Sequence, residues 1–258
     1  MADTALEYLA GSPVRPAALA ALREHGRLPL RDLDDRISAS RRTLKRTLRA
    51  LESRGWVRAS NGTYECTALG ACILAAYEEF RDRERIAERL RPFLEHTPAT
   101  AFDLDIDALA DANVVAPTDG PTAFVDTLLD IRTDADRLRE YVPFLLLDSV
   151  RQLAGRVGDG QSAPDVTLVV RTDTPPQSSP EYADCFETLV DAPSVDVRRN
   201  PDGPRLGFGV ADGHAFLGAA DENGMPTSLL TSESADLVEW VERRFEAVRA
   251  AAEPIDRV

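Results

Sequence analysis

Apolar positions in the first quarter of the chain recur at helical spacing and then switch to alternation. Val14 to His25 puts Leu19, Leu22 and nearby alanines on one helical face, closed by Gly26. Pro29 suits a helix start, and Leu30, Leu33 and Ile37 follow at helical spacing. Ser38-Ala39-Ser40 interrupts the pattern. Ser40 is a good N-cap for a helix over Arg41 to Ser53, which buries Leu44, Leu48 and Leu51 and stops at Gly55. Trp56 to Ser60 and Thr63 to Cys66 then alternate about Asn61-Gly62. Both turn residues tolerate the positive φ of a type I′ turn, so the segment predicts a hairpin.

Thr67 can cap a long helix running to about Arg91, where Pro92 should end or kink it. Along it Leu69, Ile73, Ala76, Phe80, Arg83, Ala87 and Leu90 alternate at spacings of four and three, a coiled-coil-like seam broken by Arg83. Periodicity fits two readings equally: a dimer contact through Leu69, Ile73, Ala76, Phe80, Ala87 and Leu90, or a helix packed on its own domain.

Beyond a junction rich in Asp, Thr, Pro and Ala, the pattern mixes strands and helices. Pro121 to Asp130 reads as a helix, Leu138 to Leu153 as a mostly apolar run, and Gly155 to Pro164 as a loop. Val166 to Val170 is a strand, Glu181 to Val190 a helix and Val195 to Val197 a strand. Leu206 to Val210 and His214 to Gly218 form a hairpin about Asp212-Gly213, Thr227 to Leu230 a further strand, and Ala235 to Ala251 a closing amphipathic helix. The chain therefore divides into 1–66, a linking or dimerisation helix at 67–96, and an α/β region at 97–258. The expected fold is an α+β N-terminal module, a long helix and an α/β C-terminal domain.

Charge changes the picture. The chain carries 30 basic and 44 acidic side chains, a net −14, and Lys45 is its one lysine. Such an acidic, lysine-poor surface suits a halophilic source, and codon usage in a GC-rich genome is the alternative. Residues 1–66 nevertheless hold 12 basic and 8 acidic side chains, a local balance of +4, while the remainder stands at −18. A basic island on an acidic protein is the footprint of a DNA-reading module. The helix from Arg41 to Ser53 has no acidic residue between Arg41 and Arg49. Opposite its leucine stripe stand Arg41, Arg42, Lys45, Arg46 and Arg49, with Thr43 and Thr47 on the flanks. A helix entering the major groove needs such a docking stripe, polar residues near its N-terminus for base edges, and cations for phosphate. The candidate DNA contacts are Ser40, Arg41, Arg42, Thr43 and Arg46 nearest the bases. Lys45, Arg49, Arg58 and the wing tip Asn61-Gly62 would meet phosphate or minor groove. A solvated face, or a module that binds protein instead of DNA, are the competing readings.

The ordered series resembles the winged helix-turn-helix superfamily over about residues 3–82. Leu51 to Trp56 is similar to its "L-x-x-x-G-hydrophobic" joint, and Tyr64 to Gly70 to the "Y-x-L-T-x-x-G" that leads from wing to helix. The resemblance implies double-stranded DNA as partner and a homodimer. Residues 100–252 resemble the effector domain of archaeal regulators of the TrmB and methanogenesis-regulatory type, through Val166–Val170, the hairpin Leu206 to Gly218, and Leu229-Leu230-Thr231-Ser232 to Trp240 with Phe245. That likeness implies a small-molecule effector of unknown identity, and a fold that some such domains share with phospholipase D.

Other chemistry lacks its motifs. None of His25, His96 and His214 is followed two residues later by lysine, as the phospholipase reaction requires, and Leu44-Lys45 is no phosphate-loop Gly-Lys. Cys66, Cys72 and Cys185 make no zinc or disulfide framework, so no metal or cofactor is expected. Gly207-Phe208-Gly209 lacks the third glycine of a dinucleotide fingerprint and reads as strand packing. Asp103, Asp105 and Asp107 read as a solvated segment. No apolar run is long enough for a membrane span and the N-terminus has no signal-peptide pattern, so a cytoplasmic, non-enzymatic regulator is the expectation.

Overall fold

The computed structural model describes residues 4–101, 103–120, 122–143, 145–158, 164–171, 179–221 and 226–255. Contacts divide the chain into two compact units, Met1–Arg85 and Ile86–Val258.

The first unit begins with α1 (Ala5–Ala10), where Thr4 and Glu7 form a reciprocal capping box. The sequence pattern gave no hint of this helix, which has barely two turns. It is followed by α2 (Val14–His25), β1 (Leu28–Pro29), α3 (Leu30–Asp34), α4 (Arg41–Ser53), β2 (Val57–Ser60) and β3 (Thr63–Cys66). Helix α5 (Ala68–Arg89) comes next, and the boundary between the units falls inside it. The three short strands pair antiparallel in the order β1-β3-β2. The hairpin turns at Asn61 (φ 49°) and Gly62 (φ 79°), both in the left-handed region that a type I′ turn demands. Pro29 closes a third wing strand as well as preceding α3. The core collects Leu19, Leu22, Leu33, Leu44, Leu48, Leu51 and Trp56, all buried. Gly70 is fixed by close approach: a Cβ there would lie 2.1 Å from the Trp56 carbonyl oxygen. The first turn of α5 can pack on the end of β2 only with glycine at that point.

The second unit holds α6 (Arg91–Leu94), β4 (Asn113–Val115), α7 (Ala123–Thr133), β5 (Arg137–Val142), α8 (Leu147–Gly158), β6 (Asp165–Val170), α9 (Pro180–Asp191) and β7 (Val195–Arg199). These lead into β8 (Gly207–Ala211), β9 (His214–Ala220), β10 (Pro226–Ser232), α10 (Ala235–Ala250) and β11 (Glu253–Pro254). One eight-stranded sheet runs β11-β7-β6-β5-β8-β9-β10-β4. Strands β5, β6 and β7 are parallel and joined through α8 and α9, as crossover connections require, and the remaining pairings are antiparallel.

Two apolar layers cover the sheet. Leu237, Trp240, Val241 and Phe245 of α10, with Phe93, pack on one face; Leu128, Val150, Leu153 and Leu189 of α7, α8 and α9 pack on the other. The run 138–153 thus splits into the central strand β5 and helix α8, neither of which was separable by pattern. The loop expected over 155–164 starts later, since α8 continues to Gly158; residues 159–163 lie outside the described residues. Asp103 accepts hydrogen bonds from Trp240 Nε1 (2.7 Å) and Arg244 Nη1 (3.5 Å), so it ties the chain to α10. Among the described residues no helix is long and apolar enough to cross a membrane, and no three His, Cys, Asp or Glu side chains converge as metal ligands would.

Candidate nucleic-acid interface

Helix α4 starts where Ser40 leaves helical geometry (φ −64°, ψ 144°) and its Oγ accepts from the Thr43 amide at 3.2 Å. The Thr43 hydroxyl lies 2.9 Å from Ser40 Oγ, so both polar side chains take part in the cap while still meeting solvent. Leu44, Thr47, Leu48 and Leu51 are buried, which fixes the helix against its own unit. Thr47 therefore belongs to the docking face, not to the flank of the basic one. Arg41, Arg42, Lys45, Arg46 and Arg49 are all exposed and together line one shallow, open concavity.

The electrostatics of that face are unusual for this protein. Among the described residues none of the five cations has an ion-pair partner. Elsewhere in the unit arginines are occupied: Arg23 with Glu78 at 2.7 Å, Arg31 with Asp32 at 2.9 Å, Arg27 with Glu65 at 2.7 Å. Arg54 stacks over the rings of Tyr8 (3.8 Å) and Trp56 (5.6 Å). The first turn of α4 carries no acidic residue, and Arg41 and Arg42 sit there against the positive end of the helix dipole. Each such cation costs the isolated helix about 0.3–1 kcal/mol, a cost that an anion bound at the same end would offset.

On the wing, the Asn61-Gly62 tip is exposed. Arg58 is exposed too but donates to Glu65 Oε1 at 3.3 Å. Glu65 serves Arg27 and Arg58 together, and the Arg27 hydrogen bond, then both positive charges, hold its carboxyl below its ordinary range. Among the described residues Arg58 is thus the one charged candidate that already has an ion-pair partner.

The seam on α5 is not continuous. Leu69 and Phe80 are 53% and 47% exposed, and Ala76 is exposed on the same stripe, with Cys72 between them. Ile73 is half-buried against the core of the first unit, and Ala87 is half-buried. Leu90 must be withdrawn as a dimer contact: it is fully buried beside Phe93 in the core of the second unit. The four-three alternation concealed this because α5 ends at Arg89, and Leu90 already caps α6, whose Phe93 packs in the same core.

Sequence reasoning also passed over a buried ion pair in the second unit. Arg132 of α7 and Glu140 of β5 are 0% and 1% exposed and bond to each other through Nη2 and Oε1. Burial pushes the Glu140 carboxyl up, against the pull of the Arg132 charge. The signal was faint: a glutamate inside a strand that otherwise reads Arg, Leu, Arg, Tyr, Val.

Residues 3–89 match the family described as the HVO_A0261 N-terminal domain, and residues 121–251 match the middle domain of the methanogenesis regulatory protein FilR1. No curated protein matches the chain. Among solved structures it is similar to TrmBL2, an archaeal chromatin protein described as showing a novel mode of DNA binding. That likeness has 14% identity, 99% of this chain and 100% of that one covered, and a TM-score of 0.44. Pseudomonas aeruginosa HmgR matches at 16% identity over 93% of this chain and 98% of that one, with a TM-score of 0.25. CalO1, a methyltransferase of calicheamicin biosynthesis, matches at 18% identity over 74% and 63%, with a TM-score of 0.21. Likeness at these scores assigns neither fold nor function.

Proposed function

Since this chain belongs to the family of the methanogenesis regulatory protein FilR1, we propose that it is a sequence-specific, DNA-binding transcription regulator that works as a homodimer and carries a small-molecule sensor in its second unit. The unpaired cationic face of α4 supports this reading most directly. In a protein of net −14, five cations left without carboxylate partners among the described residues make a face that suits an external polyanion. Ser40, Arg41, Arg42, Thr43 and Arg46 approach the bases, while Lys45, Arg49, Arg58, Asn61 and Gly62 approach phosphate or the minor groove. The exposed Leu69, Ala76 and Phe80 supply the dimer contact, with Ile73 and Ala87 at its margin. The acidic, lysine-poor remainder fits the cytoplasm of a salt-loving archaeon. At molar salt the Debye length falls to about 3 Å, so recognition there depends on short hydrogen-bonded contacts more than on long-range attraction. The second unit, with helices on both faces of a mixed sheet and no His-x-Lys pair, suits a phospholipase-D-like fold used for binding and not for turnover.

Fluorescence anisotropy with a genomic operator fragment and a scrambled control tests the proposal. Arg42→Ala should weaken specific binding by about 1–3 kcal/mol and scrambled DNA far less. Equal loss on both would make Arg42 a phosphate contact. No affinity for any genomic fragment, with a co-purifying protein instead, would replace DNA reading by a protein-adaptor role. Phe80→Glu should convert dimer to monomer in light scattering.

A further inference from the structure

The second unit contains a cavity of about 60 Å³ that opens to solvent between α7, α8 and the β5-β8-β9-β10 part of the sheet. Phe124, Leu128 and Arg132 line it from successive turns of α7, and Phe216 and Leu229 from the sheet. Its floor is bare because Gly207 and Gly218 face each other across β8 and β9. A Cβ on Gly218 would stand 3.2 Å from the Phe124 ring, so a larger residue would intrude on the space.

The cavity is lined mainly by apolar side chains, with Ser149 and two charged places as the exceptions. At its base lies the Arg132–Glu140 pair, in which Arg132 Nε and Nη1 and Glu140 Oε2 are fully buried and have no hydrogen-bond partner. Native interiors rarely leave such atoms unpaired, because a buried charged group without partners is costly. Arg156 fixes the backbone here by donating to the carbonyls of Arg132 (2.5 Å) and Ala135 (2.7 Å), so Arg132 cannot easily withdraw. At the rim stands exposed Arg205, with no ion pair among the described residues. Around the chamber the bonded Arg132–Glu140 pair and the separate Arg205 thus bring two guanidinium groups and one carboxylate, which leaves room for one further negative charge.

We infer that this cavity binds a small amphiphilic carboxylate. Its apolar body lies against Phe124, Leu128, Phe216 and Leu229, and its carboxyl group takes the free N–H groups of Arg132 with Arg205 closing over it. The inference gives a place to the sensing proposed above; it rests on that reading for its consequence at DNA but not for binding itself.

Calorimetric titration of the full chain with straight-chain carboxylates from butanoate to decanoate, with 4-phenylbutyrate, and with the matching amides tests the site. At least one acid should bind at one per chain, and its amide at least tenfold more weakly, a difference of about 1.4 kcal/mol. Arg132→Met/Glu140→Leu keeps the buried volume and should erase the preference for acid over amide. Gly218→Val should remove both. Arg205→Ala alters only the exposed rim and should weaken the acid severalfold in a protein whose fold is not in question. Failure of every acid to bind, equal affinity for acid and amide, or an acid preference intact in the double variant would each overturn the site. An acid that binds without changing operator affinity would leave the site standing and overturn its role as a sensor.

Discussion

On α4, four arginines and Lys45 stand in water with no ion-pair partner among the described residues, whereas on α7 Arg132 is enclosed with Glu140 and meets no solvent. The same guanidinium group is cheap to keep in the first place and expensive in the second. An exposed cation retains its hydration and costs the fold little, so evolution can leave it there for a partner. A buried one loses hydration worth several kcal/mol and persists only where something recovers that loss. The first arrangement spends helix stability on an external anion, and the second spends core stability on an internal charge.

Breaking the buried side should have the largest effect. Arg132→Met strands Glu140 and should destabilise the second unit by about 3–5 kcal/mol in urea unfolding. Arg132→Met/Glu140→Leu should recover most of that, and the recovery should depend on pH. Because burial raises the folded-state pKa of Glu140, its neutral form favours the fold below about pH 4.3, and that contribution is lost as pH rises through the higher folded value. The melting temperature of the double variant, measured against the parent, should therefore improve from pH 4 to pH 7; a flat difference would mean that the pair is fully ionised and compensated. On the exposed side the effects shrink. Ser40→Ala removes the cap of α4 and should cost about 1 kcal/mol of stability, seen in thermal melts, together with operator affinity. Arg41→Glu should do the opposite to the fold: a carboxylate at the positive end of the helix should raise stability by about 0.3–1 kcal/mol while operator binding collapses. A loss of stability instead would show that Arg41 is structurally engaged.

How much of this was legible in the sequence follows the same division. The first unit is built from local signals, each residing in a few adjacent residues: Ser40 as cap, the leucine stripe of α4, Asn61-Gly62 at the turn. Those elements read correctly. The third wing strand did not, because two residues at Leu28–Pro29 leave no periodicity to detect. In the second unit β5 escaped notice although it is central, since Arg139 and Glu140 interrupt its apolar positions and only the contact with Arg132 explains the glutamate. The cavity was equally hidden. Gly207-Phe208-Gly209 is rightly a strand, but that Gly207 stands opposite Gly218 is a fact of register. Leu90 failed for a related reason: spacing carries a helix on past its end, whereas α5 stops at Arg89 and Leu90 caps the next helix.

The carboxylate shared by Arg27 and Arg58 has a consequence for how the wing could engage a duplex. Glu65 is held at 2.7 Å by Arg27 and more loosely, at 3.3 Å, by Arg58. A phosphate arriving at the hairpin can draw Arg58 away while Glu65 keeps its other counterion, so no charge is orphaned during the exchange. Exposed pairs of this kind contribute little to stability because solvent screens them, which makes the handover nearly free. The wing is, in effect, latched by a spring weak enough for its target to release.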